Sequence, residues 1–144
     1  MADQDSFDLQ GFLPYLLAQA AETASAEFQR HYKNRYGMLR TEWRVLFHLG
    51  RYGPMTAKEI GERARVHKTK ISRAVAALET KRFLTRHVVA GDRRQAELQL
   101  TKPGRAAFDD LYRAARAFDA ALMAQFSADE GAALKRCLAA LARL

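Results

Sequence analysis

Polar and cationic side chains crowd the start of one predicted helix in the middle of the chain. The helix is predicted from about His67 to Lys81 because Ile71, Val75 and Leu78 recur at three- and four-residue steps. Lys and Arg donate hydrogen bonds to guanine edges and phosphates, and Ser and Thr hydroxyls bind either group. The candidate nucleic-acid contacts are the polar residues near the start of this helix that do not lie on its apolar side: Lys68, Thr69, Lys70, Ser72 and Arg73.

A second candidate site follows the helix, at the tip of a predicted β-hairpin. The stretch 95–100 alternates polar and apolar residues, which is typical of a half-buried strand, and 84–90 is rich in β-branched residues. Between them lies Gly91-Asp92-Arg93-Arg94, a polar turn. A guanidinium at such a tip fits a narrow minor groove, where negative potential is focused. Asp92 would repel phosphate, so its expected role is to pair with Arg94 or Arg93 and hold that side chain in one rotamer.

The net positive charge of the chain lies in the segment that contains both candidate sites. The 144 residues carry a net charge of +8. Residues 58–105 contain thirteen basic and five acidic residues, which equals the whole net charge, while residues 1–57 and 106–144 are each neutral. A basic block between neutral flanks indicates a polyanionic partner.

Helices must position these residues from both sides. An apolar stripe predicts a long helix over 9–36, with its regular part beginning near Pro14, and a second helix runs from about Arg40 to Arg51. Thr56 followed by Glu59 is a capping box that begins a short helix before the turn near Arg65. Two more helices occupy the C-terminal part, one starting after Thr101 and one after Ser127 or Asp129.

Several stretches together resemble the MarR family of winged helix-turn-helix transcription regulators. Leu39–Leu46 resembles the start of the family's second helix, and Thr56–Leu84 resembles its helix-turn-helix. Asp92-Arg93-Arg94, followed by Leu98–Arg105, is similar to its wing and the next helix. The family often has a glycine before the wing strand, where this chain has Arg82, so the turn at that point departs from the pattern.

The resemblance implies a mainly α fold with a small β-hairpin wing. It implies a winged helix-turn-helix DNA-binding region over 37–105 and a helical dimerisation region formed by 1–36 and 106–144. It further implies a homodimer on a pseudo-palindromic operator of duplex DNA, usually as a repressor of adjacent genes that a small ligand, often an aromatic acid, releases. Arg94 then occupies the minor-groove position, with Asp92 as its organiser.

A possible effector pocket is formed by aromatic and cationic residues of the flanking helices, although aromatics at helical spacing are more often core. The aromatic candidates could surround a ligand, and the histidine and arginines could hold its negative charge. The candidates are His31, Tyr32, Tyr36, Trp43, Arg44, Phe47 and Arg113.

Other readings of the same residues stay open. Lys68, Lys70 and Arg73 could be an ordinary solvated helix face, and the basic block would equally serve a nonspecific or architectural DNA-binding protein without a ligand. No nucleophile elbow, phosphate loop or zinc-ligand spacing is present, so we expect neither an enzyme nor a metal or other cofactor. Cys137, the single cysteine, is expected to be a small core residue on an apolar helix face rather than an oxidant sensor.

The cell compartment is indicated only indirectly. The N-terminal segment contains three aspartates and no basic run, which is unlike a secretory signal. A single cysteine fits a reducing compartment. The apolar stretch 11–21 is too short to span a bilayer. We therefore expect a cytoplasmic protein without a membrane anchor.

Overall fold

The computed structural model describes residues 7–88 and 95–144. Along this part of the chain, six helices and three short strands follow a 3₁₀ turn at Leu9–Gly11. They are α1 (Leu13–Tyr36), α2 (Arg40–Tyr52), β1 (Met55–Thr56), α3 (Ala57–Ala64), α4 (Lys68–Thr80), β2 (Leu84–Val88), β3 (Ala96–Leu100), α5 (Lys102–Met123) and α6 (Ala128–Ala142).

The strands form one antiparallel sheet with the order β1-β3-β2. The hairpin of β2 and β3 was predicted, and its register pairs Leu84 with Leu100 and Val88 with Ala96. β1 was not predicted, because two residues carry no periodicity. It pairs Met55 with Leu98 and thereby ties the segment before α3 to the wing. The mainly helical fold with a small β wing is confirmed.

The N-terminal helix α1 begins at Leu13, later than the predicted start at residue 9. Phe12 has an extended backbone that separates the 3₁₀ turn from α1, and Pro14 lies in the first turn of α1. Proline has no N–H to donate, so it is well accommodated there. Gly37, with a φ of 64°, is the left-handed residue that ends α1. The regular helix therefore begins at Leu13, close to the proline that marked it in the sequence.

The apolar core is centred on the middle of the chain. Its buried side chains extend from Tyr32 on α1 to Leu111 on α5, and they include Met38 between α1 and α2 as well as residues of α2, α3, α4 and the sheet. The two ends differ, because Leu13 and Leu16 on α1 and Leu138 and Leu141 on α6 are each between 40% and 52% exposed. One copy of the chain thus buries the centre of the molecule but leaves apolar side chains of both terminal helices uncovered.

In the described part of the chain, no helix is both long enough and apolar enough to cross a lipid bilayer.

Candidate nucleic-acid interface

The helix-turn-helix is set up by a predicted capping box. The N–H of Glu59 donates to the Thr56 hydroxyl over 3.2 Å, and the N–H of Thr56 donates to the Glu59 carboxylate over 3.0 Å. Both bonds satisfy backbone N–H groups that a helix start leaves free. The capping box is confirmed, and it fixes the residue at which α3, the first helix of the helix-turn-helix, begins.

The turn between α3 and α4 is held by Arg65. Its backbone is left-handed, with a φ of 55°, and the N–H of Val66 donates to the carbonyl of Gly61 over 3.1 Å. The Arg65 guanidinium donates to the carbonyls of Ala142 over 2.6 Å and Arg143 over 3.3 Å, at the end of α6. The last carbonyls of a helix carry partial negative charge, so they suit a cation. The turn is thereby tied to the C-terminal helix.

α4 presents two different faces. Ile71, Ala74, Val75 and Leu78 are buried, and they anchor the helix to the core. His67 caps it, since its Nδ1 accepts a hydrogen bond from the N–H of Thr69 over 3.2 Å. Every predicted contact residue on this helix is exposed, as the spacing required: Lys68, Thr69, Lys70, Ser72 and Arg73.

The cations of the basic block are not equivalent. Lys81 donates to the carboxylate of Glu42 over 2.6 Å, and Arg86 donates to Glu79 over 3.1 Å. Within residues 7–88 and 95–144, no carboxylate lies within 4.0 Å of Lys68, Lys70 or Arg73. Uncompensated positive charge is therefore gathered on the exposed N-terminal half of α4, where a polyanion can reach it.

The wing is joined to the rest of the protein at a tight turn. Arg82, at the position where the resemblance led us to expect a glycine, adopts the left-handed conformation with a φ of 62°. The Thr101 hydroxyl donates to its carbonyl over 2.7 Å. The N–H of Thr101 also donates to the carbonyl of Phe83 over 3.0 Å. A Cβ on Gly104 would lie 1.9 Å from that carbonyl oxygen, so only glycine allows this approach. These contacts join the base of the wing to the start of α5.

The predicted residues at the wing tip, Asp92, Arg93 and Arg94, lie outside the described residues. Both strands of the predicted hairpin are present: β2 where β-branched residues predicted it and β3 where the alternation did.

The aromatic residues predicted for an effector pocket form a packed layer between α1, α2 and α5. Tyr32 is 2% exposed and its ring stacks on Trp43 with centroids 6.0 Å apart. Phe47 contacts both Trp43 and Phe108 edge to face. His31 lies at the border of this layer, half-buried beside Phe28. The structure brings these rings together as packed side chains.

The remaining pocket candidates point elsewhere. Arg44 and Arg113 are exposed. Tyr36 donates its hydroxyl hydrogen to the Asp110 carboxylate over 2.6 Å, and Arg35 donates to the same group over 3.1 Å. Burial and this hydrogen bond raise the pKa of Tyr36 to about 12. The bond from Tyr36, with help from Arg35, lowers the pKa of Asp110 against the opposing effect of burial.

Two polar ties were missed in the sequence. Glu42 is 3% exposed, and its carboxylate accepts hydrogen bonds from the N–H of Leu39 and from Lys81. Asp110 joins α5 to α1 through Tyr36 and Arg35. In the sequence Glu42 looks like an ordinary acidic residue in the first turn of a helix. The partners of Asp110 are more than seventy residues away from it. No local pattern could have identified either tie.

Cys137 differs from its expectation. It is exposed on α6, because one copy of the chain leaves much of that helix uncovered. The expectation of a buried core residue is therefore wrong for the single chain. No cluster of three or more His, Cys, Asp or Glu side chains that could hold a metal ion occurs in the described part of the molecule.

The model of the MarR family matches residues 36–95, which include the elements from α2 to β2 and end before β3. This match confirms the resemblance seen in the sequence. No curated protein sequence matches the chain.

Solved structures share the fold over nearly the whole chain. A MarR family transcriptional regulator from Silicibacter pomeroyi is 29% identical, with a TM-score of 0.81 over 94% of this chain and 96% of that one. MepR of S. aureus, solved with DNA, is 18% identical, with a TM-score of 0.82 over 92% and 96%. NadR, solved with 4-hydroxyphenylacetate, is 20% identical, with a TM-score of 0.76 over 100% and 99%.

Proposed function

We propose that this chain, which carries the winged helix-turn-helix of the MarR family, is a homodimeric transcription regulator. It binds a pseudo-palindromic operator in duplex DNA as a repressor of adjacent genes, and a small ligand releases it. The observation that carries the proposal is α4, whose buried side is fixed in the core while the exposed Lys68, Lys70 and Arg73 have no carboxylate partner among the described residues.

The exposed half of α4 has the chemistry of a major-groove reader. Residues at the N-terminal end of a recognition helix contact base edges, and the elements next to that helix contact phosphates. Lys70 and Arg73 would bind guanine or phosphate, while Thr69 and Ser72 would donate hydroxyl hydrogen bonds. The buried side of α4 holds these side chains on a rigid element, which favours specific over diffuse binding.

The wing would supply a second contact, in the minor groove. We assign Arg94 to the groove and Asp92 to holding Arg94 or Arg93 in one rotamer, with Arg93 at the adjacent backbone. The base of the wing supports this assignment, because Thr101 and Gly104 hold it against α5 and so aim the hairpin in a constant direction. MepR, which shares the fold, was solved in complex with DNA.

The terminal helices, in segments 1–36 and 106–144, would form the dimer frame for the DNA-binding region at 37–105. Exposed leucines on α6 and at the start of α1 support this division, because apolar side chains at helical spacing are stable when a second surface covers them. A twofold dimer would present two copies of α4 to the two half-sites of an operator.

Release by a small ligand is supported by NadR, a protein of the same fold that was solved with 4-hydroxyphenylacetate. The sequence places the ligand among His31, Tyr32, Tyr36, Trp43, Arg44, Phe47 and Arg113. This placement stays a prediction, since the aromatic members pack against one another in the free chain.

Titration of the purified dimer against the DNA upstream of its own gene tests the proposal. We expect saturable binding to one pseudo-palindrome, and R94A should weaken it by about 1–3 kcal/mol. K33A, which removes an exposed lysine of α1 outside the basic block, is the matched control and should leave the affinity unchanged. Equal affinity for operator and random DNA, with one steep salt dependence, would instead support the nonspecific binder.

A further inference from the structure

The C-terminal end of α6 is closed partly by its own backbone and partly by Arg65. The N–H groups of Arg143 and Leu144 turn back and donate to carbonyls of the last turn of the helix, over 3.1 and 3.0 Å. A helix leaves its last four carbonyls without a partner inside the helix, so these two bonds satisfy only part of the set. The Arg65 guanidinium binds two carbonyls that follow, those of Ala142 over 2.6 Å and Arg143 over 3.3 Å.

The backbone and the side chain of Arg65 have separate roles. The left-handed backbone ends α3, and any residue that tolerates this conformation, such as asparagine, could do the same. The side chain instead leaves the turn and reaches an element 77 residues later in the sequence. A guanidinium presents several N–H groups in a fixed fork, which suits two neighbouring carbonyls at the negative end of a helix. The side chain therefore serves the contact with α6 and not the turn itself.

α6 has few other attachments to its own copy of the chain. Gly131 is its buried residue, and Lys135 forms an exposed ion pair with Asp119 of α5 over 2.9 Å. Both contacts lie in its first half. Among the described residues, Arg65 is the side chain that bonds the last turn of α6 to another element. Because α6 belongs to the proposed dimer frame, Arg65 joins that frame directly to the turn that precedes α4.

Without this bond, the DNA-binding region could tilt relative to the frame wherever α5 bends. α5 continues to Met123, about 18 Å beyond the last core residue Leu111 at about 1.5 Å per residue. A bend of about 10° over that length moves its end by about 3 Å, close to the rise of about 3.4 Å between base pairs. In a dimer both copies can tilt, so the separation of the two α4 helices could change by about 6 Å. A bond that limits this tilt acts on the separation of the helices more than on either helix alone.

We propose that Arg65 is a positioning residue that sets the separation of the two recognition helices, and with it the operator spacer length that the protein accepts. Its guanidinium holds the turn before α4 to the end of α6, so α4 moves with the dimer frame as one rigid body. The role differs from that of Lys70 and Arg73, because loss of Arg65 changes which spacing is preferred and not which bases are read. The inference rests on the proposed function, in which two copies of α4 bind one operator.

Three variants separate the bond from the turn and from the charge. R65N breaks the bond and keeps the turn, because asparagine adopts the left-handed conformation readily. R65K keeps the positive charge but replaces the fork with a single ammonium group, so it should behave as an intermediate. R63Q is the matched control, since it removes an arginine of α3 whose guanidinium lies 4.6 Å from the centre of the Tyr52 ring. Its effect measures the loss of one positive charge in the same helix.

Gel-shift titration against operators of different spacer length gives the first readout. One base pair is inserted or removed between the half-sites, which shifts them by about 3.4 Å and rotates them by about 35°. Wild type and R63Q should bind the altered operators at least about tenfold more weakly than the natural one. R65N should discriminate by less than about threefold, with R65K in between. Equal weakening of R65N on every spacer would indicate a merely structural role and overturn the proposal.

Pulsed electron spin resonance gives the second readout, the separation of the two α4 helices without DNA. The spin label is attached through A76C, an exposed position of α4 outside the predicted DNA contacts, in a C137S chain that lacks the exposed native cysteine. The distribution of distances between the labels of a dimer should be narrow with Arg65 present and equally narrow in R63Q. In R65N it should broaden by about 6 Å, the change that tilting allows. An unchanged distribution in R65N refutes the proposal.

Failure of the role of Arg65 and failure of the proposed function give different results. If the dimer binds its operator but R65N keeps the spacer selectivity and the label distances of the wild type, the role of Arg65 is wrong and DNA recognition stands. If no operator is bound, the regulator proposal is wrong, and the label distances still decide whether Arg65 holds α4 to the frame. A labelled chain that gives no distance between copies is not a dimer, which refutes both.

Discussion

The winged helix and the terminal helices differ in how completely one copy of the chain can bury them. Among the described apolar side chains, every fully buried one lies between Tyr32 and Leu111. In α6 only Gly131 is buried, while Leu134, Leu138 and Leu141 are 39–52% exposed. The net charge follows the same division, since all of it lies in residues 58–105.

Under the proposed function, this difference assigns DNA binding to the centre of the chain and dimerisation to its ends. The centre buries its own apolar surface and is charged on the outside, as a surface that approaches DNA must be. The ends are neutral and apolar, as surfaces that meet a second copy are. Arg65 connects the two parts, because its side chain joins the turn before α4 to the end of α6. Mutations can test each side of this comparison separately.

The largest effect is expected from charges placed on the uncovered side of α6. The double variant L134E/L138E should raise the dissociation constant of the dimer at least about a thousandfold, because a dimer would bury unpaired carboxylates at a cost of several kcal/mol. Analytical ultracentrifugation measures this. R136E, on the same helix, should stay dimeric, and far-UV circular dichroism should remain helical in both. A double variant that is still dimeric would remove α6 from the interface.

The centre should respond to G104A with a large loss of stability. The new methyl group would lie 1.9 Å from the Phe83 carbonyl oxygen, so the base of the wing must shift. Overpacking of this kind typically costs about 1–3 kcal/mol of unfolding free energy, measured by urea denaturation at fixed protein concentration. The control is G11A, whose added Cβ meets no atom within 4 Å. Equal stability of the two variants would show that α5 does not hold the wing.

The tie between Tyr36 and Asp110 should make a smaller, pH-dependent contribution. Y36F should lower the unfolding free energy by about 1 kcal/mol, because Asp110 is a third exposed and water screens it. The pKa of Asp110 is below its ordinary value of 3.8, so its contribution is present above that pH and is lost as the pH falls through the folded-state pKa.

At high pH the contribution of Tyr36 to stability changes in the opposite direction, because it is lost as the pH rises. The pKa of Tyr36 is raised from 10.0 to about 12, so this contribution is present below pH 10 and is lost as the pH rises towards 12. Urea midpoints measured across pH should therefore fall at both extremes in the wild type and less steeply in Y36F. Y52F, which alters a tyrosine that is 53% exposed, is the control. Parallel curves for wild type and Y36F would contradict the assignment.

The smallest effect is expected at Arg82. A residue with a side chain costs about 1–2 kcal/mol in the left-handed conformation, and a glycine at this position would remove that cost. Part of the gain in stability is offset by the greater freedom of glycine in the unfolded chain. R82G should therefore stabilise the fold by about 0.5–1 kcal/mol, seen as a higher urea midpoint. R82A keeps the left-handed backbone and should show no gain. If R82A is as stable as R82G, the gain comes from loss of charge and not from the backbone.

Patterns within about fifteen residues were readable from the sequence. The period of Ile71, Val75 and Leu78 located α4 to within a residue at each end, and the alternation of 95–100 located β3. The division of α4 into a buried and an exposed side followed from the same period. These features depend on local geometry, which a linear sequence records.

Features that depend on distant contacts were not readable. β1 is a strand only because β3 pairs with it, and the buried Glu42 is paired with Lys81, which is 39 residues away in the sequence. The bond from Arg65 to the end of α6 spans 77 residues. Cys137 was misjudged for the same reason, since an apolar helix face predicts burial without saying whether the same chain supplies the cover.

A footprint of the dimer on the DNA upstream of its own gene tests the central claim most directly, that two copies of α4 read one operator. We expect two protected half-sites with centres about 10–10.5 base pairs, or 34–36 Å, apart, and loss of both in L134E/L138E at concentrations where the wild type protects fully. Uniform protection without a preferred site, or unchanged half-sites in the monomeric variant, would contradict it.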